Sequence, residues 1–99
     1  MNIENLDKKL DLVIDEIIDI RRHIHAHPEL SGLEHQTAIL IAGYLRNIGW
    51  EVKESIGRTG IIAEIGPGEN GYVGLRVDMD ALPIHENTNL DFSSTLDGV

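Results

Sequence analysis

The chain has 99 residues, 41% of them hydrophobic and 25% charged, which suits one small globular unit with a modest core. Its 8 Lys and Arg against 17 Asp and Glu give a formal charge of −9, which repels nucleic acid phosphates and anionic lipid headgroups, so neither partner is expected. With no cysteine, disulfide frameworks, thiolate metal sites and thiol nucleophiles are excluded. The opening residues lack the basic flank and apolar core of a signal peptide, and no apolar run approaches about 18 residues, so a cytoplasmic location is the expectation.

From the start, Ile3, Leu6, Leu10, Val13, Ile17, Ile20 and Ile24 recur at alternating spacings of three and four, the stripe of one long helix. Asn2 or Asn5 can cap it, Glu4 and Asp7 suit its positive end, and Arg21, Arg22 and His23 suit its negative end. Pro28 ends it, because the residue before a proline is pushed out of helical geometry. The stripe also fits a coiled-coil seam, but Ile14 and Ile18 widen the apolar face and favour packing on a sheet.

Ser31-Gly32-Leu33-Glu34 has the form of a capping box that opens a second helix. That helix carries Leu33, Thr37, Leu40, Ile41, Tyr44, Leu45 and Ile48 at helical intervals, and Gly49 follows as a left-handed stop. The period then changes to two. Trp50 to Ile56 alternates as a half-buried strand, Ile61 to Ile65 reads as a second strand, and Tyr72 to Asp78 as a third. The glycine-rich turn Gly66 to Gly71 predicts a hairpin between the second and third. From Ala81 onward the chain looks irregular.

The third strand predicts a site. Its apolar run drives Asp78 and Asp80 out before Pro83, at the kind of sheet edge where α/β proteins place ligands. A period of two puts both carboxylates on one side, with Met79 turned away. Two readings stand: solvated acids entering a turn, or a carboxylate pair that needs a metal, a histidine or water to relieve its like charge. Arg76 can neutralise the pair if the strand stays regular.

Three other patterns carry less. Gly66, Gly68 and Gly71 have dinucleotide-fingerprint spacing, but a strand follows where that motif needs a helix. His23 and His27 are four apart at a helix end, yet the glutamate of the zinc-protease helix is missing and Pro28 follows at once. The aspartate pair lacks the phosphate-cradling loop and basic clamp of phosphoryl transfer.

Read together, Arg21 to Ser31 (Arg-Arg-His-Ile-His-Ala-His-Pro-Glu-Leu-Ser), Glu34 and Thr37, Thr59 to Ala63, and Leu75 to Pro83 (Leu-Arg-Val-Asp-Met-Asp-Ala-Leu-Pro) resemble the start of one enzyme family. It is the amidohydrolase branch of the two-metal aminoacylase and carboxypeptidase family, which includes hippurate hydrolase, N-acyl-L-amino acid amidohydrolases and auxin-conjugate hydrolases. The resemblance runs in unbroken order from about Ile20 to Val99.

It implies an α/β fold, the start of a mixed-sheet metallopeptidase-like catalytic domain: a long N-terminal helix, a second helix, then about three strands. Residues 1–99 are then an incomplete N-terminal part of that domain, without the satellite domain that covers the site and often dimerises. It implies hydrolysis of the amide bond of N-acyl amino acids by an enzyme holding a divalent metal pair, zinc or manganese. In this branch the block after Asp97-Gly98-Val99 is typically Met-His-Ala-Cys-Gly-His-Asp, whose cysteine and histidine are ligands. No metal ligand, tight metal binding or turnover is therefore expected of this chain alone. Asp80 matches an aspartate that orients the metal site, and Asp78 stands where the wider family has a histidine ligand, so both are expected in supporting roles. His25, His27 and Glu29 belong to the family's opening signature and read as structural, holding the first helix to the next turn. The alternative is a small acidic protein-interaction module without catalysis, with the long helix as its partner surface.

Overall fold

The structure is a computed structural model and describes residues 2–99. Helix α1 spans Ile3–Ala26. Asn2 is its cap: extended backbone turns the side-chain oxygen to accept from the Glu4 amide at 3.1 Å, while the Asn2 carbonyl receives the amides of Asn5 and Leu6. The helix stops where Pro28 requires. The His27 amide closes onto the carbonyls of His23 and Ile24, and His27 Nδ1 donates to the His23 carbonyl at 2.8 Å.

No residue of α1 is buried. The stripe is present, but Ile3, Leu6, Leu10, Val13, Ile14 and Ile17 are all exposed. The sheet packing expected for this face is therefore not found among the described residues. The sheet is a two-stranded hairpin, and its helix partner is α2.

Helix α2 spans His35–Asn47 and buries Thr37, Ala38 and Ala42, the last completely. Small side chains on that face let the helix lie close to the hairpin. Its end follows a Schellman pattern: the Trp50 amide donates to the Leu45 carbonyl at 3.0 Å and the Gly49 amide to Arg46 at 3.0 Å. Gly49 has φ 96°, the left-handed stop expected of it. Its beginning differs from expectation. Ser31 does not cap α2; Glu34 holds the cap position and makes no side-chain bond to the helix.

Strands β1 (Glu51–Ile56) and β2 (Gly60–Glu64) pair antiparallel, with Val52 opposite Ala63 and Ile56 opposite Gly60. The register slips between Lys53 and Ile56, where Ser55 takes φ 57°, a bulge that tightens the turn. Gly60 is needed there, since a β-carbon would lie 2.5 Å from the Ile56 carbonyl oxygen. Arg46 Nη1 on α2 meets Glu54 Oε2 on β1 at 2.7 Å.

The hairpin thus joins the first two strands, whereas the glycine-rich turn predicts one between the second and third. Gly66 to Gly71 does turn, closed by the Gly71 amide on the Gly68 carbonyl, but Tyr72 to Asp80 then runs without strand pairing. Val73 and Leu75 are almost wholly exposed. Alternation gives a segment two faces, but a strand also needs a neighbour to accept its backbone bonds. The backbone of the segment is fixed at its end, where Leu30 and Ala81 form an isolated parallel bridge and the Ala81 amide donates to the Glu29 carbonyl at 2.8 Å.

The last residues return to the end of α1. Thr95 donates to the Ala26 carbonyl through both its amide and its hydroxyl, and Phe92 meets the Arg22 guanidinium and the His25 ring. Among the described residues no helix is long and apolar enough to cross a membrane.

Candidate functional site

The turn between α1 and α2 is the junction of the molecule, and two glutamates organise it. Pro28 throws the chain outward so that Glu29 reaches the amino end of α2, where free amides and the helix dipole favour a carboxylate. Glu29 Oε2 accepts from the Gln36 amide at 3.1 Å, and Oε1 from the amide and hydroxyl of Thr37, each at 2.6 Å. The cap of α2 is thus a side chain from outside the helix. Burial pushes the Glu29 carboxyl upward, but the Thr37 hydroxyl and the Thr37 and Gln36 amides outweigh it and hold it below the usual range.

Glu34 is the second organiser, and its residue is only 6% exposed. It accepts the hydroxyl of Thr59, itself buried in the hairpin turn, and the Gly32 amide at 2.5 Å. The Thr59 bond is the main reason its carboxyl is lowered from the ordinary value, assisted by Gly32 and opposed by burial. A buried carboxylate is tolerated only when so satisfied.

Asp78 and Asp80 stand across an open cavity of about 310 Å³ from this pair, whose wall includes Gly32, Glu34, Thr59 and Gly60. Both are exposed. Arg76 Nη2 meets Asp78 Oδ1 at 3.0 Å, so the neutralising arginine reaches the first aspartate. Met79 is not turned away as strict alternation requires. It lines the same cavity and, with Asp80, a second one of about 440 Å³ that also touches Arg21 and His25. The departure follows from the missing strand pairing, which would have enforced the pleat.

The signature histidines serve the junction. His25 Nε2 meets Glu86 Oε1 at 2.7 Å, and Glu86 is further held by the Thr88 hydroxyl and the Ser94 amide at 2.9 Å. Those bonds, Thr88 first, lower its carboxyl. His23 and His27 stack, with centroids 4.4 Å apart, and His27 is bonded to backbone, so their spacing produces a ring stack at the helix end. Among the described residues, no three of His, Asp and Glu group as a metal-binding set.

Sequence reasoning singled out the aspartates but missed Glu34 and Glu86 as organisers. For Glu34 the available signal was an acid on each side of Leu30-Ser31-Gly32-Leu33, ahead of a helix whose own first turn lacks acids.

No family model matches the chain. Individual proteins do. A Synechocystis sp. protein named as a probable hydrolase is 46% identical over all of this chain and 25% of its own length. The hippurate hydrolase of Campylobacter jejuni is 43% identical over 88% of this chain and 25% of its own length. In structure, a Bacillus subtilis protein described as a dinuclear metal binding peptidase from the M20 family superimposes with a TM-score of 0.77 at 43% identity, over 85% of this chain and 24% of that one. The chain therefore spans about a quarter of the length of the relatives it matches. Over that quarter the chain is similar in sequence to proteins named as hydrolases and in structure to a dinuclear metal binding peptidase from the M20 family.

Proposed function

We propose that residues 1–99 form the N-terminal part of the catalytic domain of a metal-dependent hydrolase that cleaves the amide bond of N-acyl amino acids. Water adds across the bond, releasing a carboxylic acid and a free amino acid. The observation that supports this reading best is the joint likeness in sequence and in structure to a hippurate hydrolase and a dinuclear metal binding peptidase. A divalent pair, zinc or manganese, is the cofactor of this reading, and a homodimer its assembly.

The residues described here do not by themselves fit that cofactor. Glu29, Glu34 and Glu86 are already engaged by amides and hydroxyls, and the remaining aspartates form no cluster of three donors. No hydrolytic step is therefore assigned to a metal on these residues. Asp80 and Asp78 are assigned the supporting role of setting charge and geometry at the edge of the site, where they face a cavity rather than a packed core.

The test uses the full natural polypeptide with added manganese or zinc and N-benzoylglycine, following free glycine. Metal-dependent release is expected, with Asp80→Asn lowering it by about 10- to 100-fold, as loss of a ligand-orienting partner does. Residues 1–99 alone are expected to be inactive and to bind zinc weakly. Failure of the full polypeptide with either metal overturns the substrate assignment, and turnover by residues 1–99 overturns the division of labour. The exposed stripe of α1 favours a second reading, an acidic interaction module without catalysis, which the same absence of turnover would leave standing.

A further inference from the structure

Glu34 is a buried ionisable group to which no chemistry has been given, and its position is unusual. Its two oxygens face different parts of the chain: one takes the Gly32 amide within the turn, the other the Thr59 hydroxyl in the hairpin. The turn is in contact with the aspartate segment through the adjacent backbone, since the Glu29 carbonyl takes the Ala81 amide at 2.8 Å, one residue after Asp80. Glu34 therefore bridges two walls of the cavity that Asp78 and Asp80 border.

The surroundings of the bridge match that role. Arg58, beside Thr59, holds φ 97°, a conformation costly for a residue with a β-carbon and retained only where neighbours impose it. Between Ile65 and Asp80 the chain has no strand pairing, so the Leu30–Ala81 bridge is its main backbone anchor near the aspartates. Loosening the turn loosens that anchor.

We propose that Glu34, acting through Thr59 and Gly32, is a positioning residue for the Asp78–Asp80 segment. It clamps the hairpin to the turn and so sets where the two aspartates stand. The proposal rests on the hydrolase reading above for its importance, but its physical content, a mechanical link from Thr59 to the aspartates, is measurable without substrate or metal.

The reporter is the Met79 methyl group, which lies between the two aspartates and lines their cavity. In the full natural polypeptide labelled at methionine methyls, with Met79→Leu to identify the signal, Thr59→Val removes the donor while preserving shape. The Met79 resonance is expected to move in Thr59→Val and in Glu34→Gln, and to return to its original position in Thr59→Ser, which restores the hydroxyl. A Met79 resonance unchanged in Thr59→Val, while the Gly57 and Gly60 amide signals shift, overturns the proposal and makes the bond a local brace. Should Glu34→Gln lose its helical circular dichroism, the Val and Ser pair decides alone. Failure of the hydrolase reading shows itself differently, as absence of glycine release by the unaltered polypeptide.

Discussion

The two helices were equally legible as amphipathic segments, yet they ended in opposite situations. Helix α2, with 13 residues, buries three of them; α1, with 24, buries none. What separates them is polar anchoring at their ends and the size of the surface offered in return. The start of α2 is held by Glu29 and its flank by the Glu34–Thr59 bond, so its small face is pressed onto β1 and β2. Among the described residues, the long-range polar contacts of α1 lie at its carboxyl end, at Arg22, His25 and Ala26. A hydrophobic stripe states that a helix has an inner face; it does not state which element covers it.

Substitutions can break this contrast at either helix. The largest effect is expected at Ala42, the fully buried residue of α2: Ala42→Leu forces side-chain volume into a closed contact and should cost about 2 to 3 kcal/mol by denaturant unfolding. Next comes Glu29→Ala, which strips the amides of Gln36 and Thr37 of their partner and should cost about 1 to 2 kcal/mol, as loss of a helix cap does, with Glu29→Asp too short to restore it.

The same junction makes stability depend on acid. Glu29, Glu34 and Glu86 all have carboxyls lowered from the ordinary 4.5. A lowered folded-state value means that the unfolded chain takes up protons first, so this stabilisation is complete above about pH 4.5 and is lost as pH falls from there through the lower folded values. The unfolding midpoint should decline across that window, and Glu29→Gln should flatten the decline. The smallest effect is expected on α1: Leu10→Ala should change stability by less than about 0.5 kcal/mol, as exposed substitutions do. A loss of about 2 kcal/mol or more would show that the face is covered and would erase the contrast between the helices.

Local rules read α1 almost to its ends, from the Asn2 cap to Pro28, and the Gly49 stop of α2, because caps and prolines act within a few residues. They failed at the start of α2, where the partner of the helix amides comes from the far side of the turn and the capping-box glutamate faces Thr59, 25 residues away. They also failed over Tyr72 to Asp78, where composition supplied alternation but strand formation depends on a neighbouring backbone. The aspartate pair was legible as a cavity edge. Its clamp was not, because Glu34 and Thr59 become neighbours only after the hairpin closes.

The strap at the end of α1 has a kinetic consequence. His25 and Glu86 are 61 residues apart and Ala26 and Thr95 are 69 apart, whereas β1 and β2 are joined by a tight turn. Each doubling of a loop adds only about 0.6 kcal/mol to its closure, but that entropy is lost before the contact repays it. Closure entropy thus favours formation of the hairpin and α2 before the union of the chain's first third with its last residues. Until that union forms, the carbonyl of Ala26 lacks its two Thr95 donors and is open to water.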